Sequence, residues 1–175
     1  RAELGEDLGR FAGASALAEL VLRFSGADDV SVQLFEVLTD ALDRLAGATE
    51  GGSIEATLSG AWRLVAEMGF APTIGSCAAC HAPIGGAGGD VPFSHGAGGV
   101  LCQRCSRLHP GDRQLRLAAR EAIGAWSRGE QRGECDERAA RAHQRLLREF
   151  LQQHLADGRA LRAFDAWEQG ALVAR

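Results

Sequence analysis

The stretch CAACHAPIGGAGGDVPFSHGAGGVLCQRC, Cys77 to Cys105, decides how the rest of the chain is read. It opens and closes with Cys-x-x-Cys and holds four of the five cysteines in the chain. The 21 residues between Cys80 and Cys102 are rich in glycine. This is the spacing of a four-cysteine zinc ribbon or knuckle. A tight turn puts the two sulfurs of a pair on one side of the backbone, and two such turns complete a tetrahedron with Zn–S near 2.3 Å. Glycines let the linking segment curl close to the turns. A site of this kind contributes on the order of 10 kcal/mol of folding free energy.

Two other readings of the same residues stand beside it. One is a set of four buried or free cysteines that hold no metal. The other is a redox Cys-x-x-Cys, which wants a strand–helix context, whereas these pairs are flanked by loop-forming residues. His81, His95 and His109 lie in or next to the module, either as ligands of a mixed site or as bystanders. Cys135 stands apart as an ordinary thiol. Four thiolates leave no open coordination position and carry too much negative charge for a Lewis acid. HExxH, and HxE paired with PCxxC, do not occur. The expectation is therefore a structural site in a protein that is not an enzyme.

On either side of the module the sequence is helical in its periodicity. Glu6–Phe24 places Leu8, Phe11, Ser15, Ala18 and Leu22 at helical spacing, with Leu17 and Val21 beside them, and reads as a buried amphipathic helix. After the SGADD break, Ser31 is a candidate N-cap for a helix with an apolar face of Leu34, Val37, Leu38, Ala41, Leu42 and Leu45. Ser53–Phe70 repeats the pattern with Ile54, Leu58, Ala61, Leu64, Val65 and Met68, and Pro72 stops it. Beyond the module, a fourth helix is expected from Gly111 to Gly129 with Asp112 as its cap. A fifth and longest, Glu134–Gly158, turns Ala139, Ala142, Leu146, Phe150 and the adjacent Leu147, Leu151 and Leu155 inward. A short sixth covers Arg159–Gly170. The predicted fold is all-α: a bundle of about six helices with an inserted four-cysteine zinc module. Residues 1–75 and 108–175 are expected to form one bundle, and residues 76–107 the module. Trp62, Trp126 and Trp167 are read as core, or as walls of a pocket.

Composition fits a soluble globular protein: 175 residues, 46% hydrophobic and 24% charged. A chain of this length buries enough surface to need no disulfide staples. Every one of the 19 basic residues is Arg, which we read as codon bias. Net charge is −4, so there is no global basic signature of a nucleic-acid binder. The charge is uneven, with five Arg against twelve acids in residues 1–75 and thirteen Arg against ten acids in residues 106–175. No apolar run approaches the roughly 20 residues that span a bilayer, and no export signal is apparent. The expected setting is the cytoplasm, where thiols stay reduced.

Six segments, in this order, resemble the C-terminal part of the DNA repair protein RecO family: LAELV (17–21), LFEVLTDAL (34–42), RLVAEMGFAP (63–72), CAAC (77–80), FSHGAGGVLCQRC (93–105) and REFLQQHL (148–155). The resemblance covers nearly the whole chain. It implies a non-enzymatic recombination mediator that binds single- and double-stranded DNA and anneals complementary strands. It also implies contacts with the tail of the single-stranded-DNA-binding protein and with RecR, help in loading the recombinase, and a bacterial, nucleoid-associated location. By the same resemblance Cys77, Cys80, Cys102 and Cys105 are the zinc ligands. An oligonucleotide-binding β-barrel (OB-fold) of roughly eighty residues is expected upstream as the main DNA surface. One departure is His81, where the family often has Gly; His tolerates positive φ better than most residues.

Two arginine rows are candidate phosphate contacts. Arg138, Arg141, Arg145 and Arg148 are spaced for one face of the fifth helix, and Arg113, Arg116 and Arg120 for one face of the fourth. The competing reading is a solvated face, because Glu137–Arg141 and Arg145–Glu149 are spaced as i,i+4 pairs. The chain has no tyrosine, and no base-stacking platform is visible. A zinc-braced helical protein–protein adaptor or regulator with no DNA role is the alternative function.

Overall fold

The computed structural model describes residues 3–24, 31–49, 51–85, 89–109, 113–132, 136–154 and 160–170. The described residues are mostly helical: α1 (Glu3–Glu6), α2 (Leu8–Phe24), α3 (Val32–Ala46), α4 (Ser53–Glu67), α5 (Gln103–Leu108), α6 (Leu117–Ser127), α7 (Glu137–His154) and α8 (Arg162–Gly170). A small antiparallel sheet of β1 (Val91–Ser94), β2 (Gly99–Val100) and β3 (Arg113–Leu115) completes the fold, in the order β2-β1-β3. Phe93 pairs with Val100 on one side and with Arg113 on the other.

The helix boundaries follow local chemistry. The Ser31 hydroxyl accepts from the Leu34 N–H and caps α3. The Asp7 carboxylate accepts from the Arg10 N–H in the first turn of α2, and Asp136 accepts from the Ala139 N–H at the start of α7. α8 is capped from outside itself. The Glu19 carboxylate on α2 accepts the N–H groups of Ala163 and Phe164, each at 3.0 Å. An acidic group at a helix N-terminus satisfies orphan donors and interacts favourably with the helix dipole. That contact joins α2 to α8, which also buries Phe164 and Trp167.

The inward face of α2 differs from the expected one. Leu8, Phe11 and Leu22 are exposed, and Gly13, Ala16, Leu17 and Leu20 are buried instead. Close approach explains the choice. A Cβ on Gly13 would stand 2.2 Å from the Thr57 hydroxyl of α4, and one on Gly60 of α4 would stand 2.9 Å from the Ala41 methyl of α3. Gly13, Ala41 and Gly60 let these three backbones come together, so α2 turns Gly13, Ala16, Leu17 and Leu20 inward and leaves two leucines and a phenylalanine outside. On α7, Ala142 is likewise exposed, and the buried residues are Ala140, His143, Gln144, Leu146, Leu147, Phe150 and Leu151. The faces of α3 and α4 lie as expected, with Leu34, Ala41, Leu45, Leu58, Ala61, Leu64 and Val65 buried.

The fourth expected helix is shorter. Its first residues, Arg113–Leu115, form β3, and helix begins only at Leu117. Leu115 is buried and Gln114 exposed, the alternation of a half-buried strand rather than of a helix. Asp112, Leu155 and Cys135 lie outside the described residues. One core runs through the helices and into the sheet, taking in Trp62, Trp126 and Trp167 together with Phe93, Val100 and Leu115. The tryptophans are core, each 2% exposed or less.

Candidate metal centre

The two cysteine pairs are 22 positions apart at their nearest, and backbone pairing brings them together. Past α4, Gly69 takes φ +86 and turns the chain towards the sheet. Thr73 then lies parallel to Gly99. The Thr73 N–H donates to the Gly98 carbonyl and the Val100 N–H to the Thr73 carbonyl, both at 2.9 Å. Only glycine fits at 99, where a Cβ would meet the Thr73 carbonyl oxygen at 2.3 Å. The Ala78 N–H, inside the first pair, donates to the Val100 carbonyl at 2.8 Å, two residues before the second pair.

Each pair sits in its own turn. In the first, the His81 N–H donates to the Cys77 carbonyl and the Cys77 N–H to the Ala82 carbonyl, each at 2.8 Å. His81 closes this turn in the left-handed region at φ 59, a conformation His tolerates better than most residues. In the second, Cys102 is the N-cap of α5, and its sulfur accepts the Cys105 N–H at 3.4 Å. The helical turn then carries Cys105 back to the same side.

The four sulfurs lie within 4.8 Å of one another. Cys80 Sγ and Cys102 Sγ are 3.7 Å apart. A tetrahedron with metal–sulfur bonds of about 2.3 Å has an edge of roughly 3.8 Å, whereas a disulfide bond is about 2.05 Å long. All four cysteines are free thiols. Cys77 and Cys105 are buried and Cys80 and Cys102 half-buried. Leu101, with the partly buried Ala78 and Ile84, packs beneath them, and Ile84 also touches the main core.

The electrostatics of the cluster call for a cation. Burial opposes the Cys77 thiolate, but the backbone N–H groups of Cys102, Cys80 and Ala79 outweigh it and bring the thiol down to about 6. The Cys105 N–H lowers Cys102 as well. Cys105 goes the other way: its hydrogen bonds with the Cys102 and Cys80 sulfurs, together with burial, push it up to about 12. The last proton is thus the costliest to remove among sulfurs already charged, and a bound cation offsets that cost. Arg104 supplies part of the positive charge. The Cys80, Cys105 and Cys102 thiolates near its guanidinium hold it more firmly protonated. Sequence reading passed over Arg104, although its place inside the second Cys-x-x-Cys was the available signal. Among the described residues, the cluster close enough to share an ion contains these four cysteines and no histidine. His81 and His109 are exposed, and His95 is buried with Nε2 3.4 Å from the Glu149 carboxylate. The geometry and the all-sulfur donor set fit a metal site.

The arginine rows fare differently. Arg113 lies on β3 and Arg116 precedes α6 as its N-cap, so Arg113, Arg116 and Arg120 do not share a helical face. Arg113 instead grips Glu149 of α7 with two bonds, Nε donating to Oε2 at 2.6 Å and a terminal nitrogen to Oε1. This guanidinium holds the Glu149 carboxyl below its usual range, and the pair ties the sheet to the bundle. His154 adds a second tie, its ring Nε2 meeting the His95 carbonyl. On α7, Arg141 pairs with Glu137, and Arg148 pairs with Glu168 at 3.1 Å. Glu149 thus pairs with Arg113 across elements as well as lying four residues from Arg145. Arg138 and Arg145 are exposed, and among the described residues they and Arg116 and Arg120 have no carboxylate partner.

Comparison with known proteins agrees with this geometry. The family described as "Recombination protein O C terminal" matches residues 5–162. The chain is 40% identical over 114 residues to the DNA repair protein RecO of Anaeromyxobacter sp. (strain K), covering 65% of this chain and 42% of that protein. It is 30% identical over 163 residues to the DNA repair protein RecO of Streptomyces coelicolor, covering 89% of this chain and 62% of that protein. The chain thus spans roughly half the length of such relatives. With a helical frame, a four-cysteine cluster and a family match over most of its residues, the chain belongs to the RecO family and matches its C-terminal region.

Proposed function

We propose that this chain is the helical, zinc-braced part of a non-enzymatic mediator of DNA repair and homologous recombination. The observation that carries the proposal is the four-sulfur cluster, set in a chain that matches the RecO C-terminal family from residue 5 to residue 162. Cys77, Cys80, Cys102 and Cys105 hold zinc, and the ion supplies charge neutralisation and a fixed tetrahedral link between the two turns. With four thiolate donors the site has no position for a substrate. Residues 1–75 and 108–175 build one bundle around the module of residues 76–107.

In this reading DNA, single- or double-stranded, is bound mainly by an OB-fold upstream in the full protein. Arg116, Arg120, Arg138 and Arg145 are the arginines here with free charge to add, while Arg113, Arg141 and Arg148 are committed to carboxylates. The bundle serves the partners: RecR and the C-terminal tail of the single-stranded-DNA-binding protein, in the cytoplasm. A cleft of about 390 Å³ is lined by Arg44, Ala48, Glu55 and Ala56, but Arg44 is already paired with Asp40 at 2.8 Å, so the cleft offers no free cation to a terminal carboxylate. No helix among the described residues is long and apolar enough to cross a membrane.

The test measures zinc per chain by plasma emission and titrates a tail peptide by calorimetry. One zinc per chain and saturable binding of the peptide are expected. A metal-free, folded protein, or a peptide that does not bind, overturns the reading. The pairing of three of the seven candidate arginines gives the adaptor reading its support. That reading holds if the full-length protein binds neither single- nor double-stranded DNA while partner binding persists.

A further inference from the structure

The four sulfurs are not equivalent. Cys77 is fully buried and Cys105 is 7% exposed, while Cys80 and Cys102 are half-buried. One cysteine of each turn is therefore partly accessible, and the sulfurs of these two lie 3.7 Å apart. Within each Cys-x-x-Cys, by contrast, the half-buried cysteine has a buried partner. We propose that the Cys80–Cys102 edge is an oxidation site, where hydrogen peroxide converts the two thiolates into a disulfide that joins the two turns and ends four-sulfur metal binding.

The chemistry balances. One thiolate attacks a peroxide oxygen; the O–O bond breaks, hydroxide leaves and a sulfenic acid forms. The second thiolate attacks that sulfur; the S–S bond forms, the S–O bond breaks and a second hydroxide leaves. The two sulfurs lose two electrons and the peroxide gains two. The sulfurs need to close by about 1.6 Å to reach bonding distance, a shift within reach of a side-chain rotation. Arg104, whose charge the Cys80 thiolate favours, places a cation near the hydroxide that departs. With Cys80 and Cys102 joined, Cys77 and Cys105 remain as two buried donors, too few for a four-coordinate site.

The loss of metal rests on the zinc reading above; the pairing of the sulfurs does not. The experiment separates them. Metal content of the intact chain is measured first, and the chain is then titrated with hydrogen peroxide while released metal is followed with a chromogenic chelator. Remaining thiols are alkylated, and the protein is cut before Asp90 and after arginine. Cys77 and Cys80 then fall in one peptide and Cys102, Cys105 and Cys135 in three others. A crosslink between the peptides of Cys80 and Cys102, assigned to Cys80 by fragmentation, is expected, with one ion released per crosslink. Alkylation of the untreated chain should modify Cys80 and Cys102 about tenfold faster than Cys77 and Cys105. Crosslinks within Cys77–Cys80 or Cys102–Cys105, equal alkylation rates, or oxidation with the metal retained would overturn the proposal. A chain that carries no metal but forms the Cys80–Cys102 crosslink would overturn the zinc reading alone.

Discussion

At the scale of single residues, the molecule depends on a few positions with one acceptable occupant. Cys77→Ser removes a buried donor from the sulfur cluster. It is expected to abolish stoichiometric zinc and to lower stability by roughly several kcal/mol, read from metal analysis and a denaturant midpoint on the same sample. Gly99→Ala sets a methyl 2.3 Å from the Thr73 carbonyl and should cost about 2 kcal/mol or more, because backbone cannot move aside as a side chain can. Gly75→Ala, which meets nothing within 4 Å, is the near-neutral control. His143 is buried with its ring 4.7 Å from that of Trp126. Burial alone holds it down, at about 4 against an ordinary 6.5. The folded state therefore resists the proton that the unfolded chain accepts. Stability from this group is complete above pH 6.5 and is lost as pH falls towards 4, by about 3 kcal/mol in all. His143→Leu should flatten that part of the pH–stability curve, measured by urea unfolding at successive pH values.

At the scale of elements, α2 shows where periodicity stops being informative. Leu8, Phe11 and Leu22 recur at the helical interval, as do Gly13, Ala16, Leu17 and Leu20. An apolar stripe says that a helix buries a face; it does not say which of two stripes wins. The decision rests with the fit against α4, where Gly13 lies against Thr57 and Leu17 packs over Gly60. Leu17→Ala is accordingly expected to cost about 3 kcal/mol, while Leu22→Gln, at an exposed position, changes stability by under about 0.5 kcal/mol. Paired thermal melts decide between them. Similarly, Arg113–Leu115 carries a helical pattern in sequence and becomes a strand. Pairing with Val91–Phe93 satisfies its backbone, and Arg113 reaches Glu149 from there. Tertiary hydrogen bonding outweighs the small local preference.

At the scale of the whole molecule, the metal module is joined to the bundle on two sides. Phe93, Val100 and Leu115 enter the same core as the helices, and the Arg113–Glu149 and His95–His154 contacts fasten the sheet to α7. The small cluster under the sulfurs is distinct from that core and meets it through Ile84. Chelation is therefore expected to leave the helical circular dichroism signal largely intact. Limited proteolysis should open new cleavage within residues 76–109, since the turns lose their common anchor while the bundle keeps its own. Loss of helix in step with metal removal would show that the bundle depends on the site for its fold.

Taken alone, the sequence determined the helical class, the four cysteines as one site and the burial of the three tryptophans. These signals are local: ligand spacing, a 3.6-residue period and side-chain size. It also carried the family likeness, through short segments in a fixed order. Only the tertiary structure decided which stripe of α2 turns inward, that three strands lie beside the sulfurs, and which arginines are spent on carboxylates. It also decided which two of the four cysteines are buried and which two are half-buried. Each of these depends on contacts between residues far apart in the chain, such as Thr73 with Gly99 or Arg113 with Glu149. Their energies exist only once the backbone has brought the partners within reach.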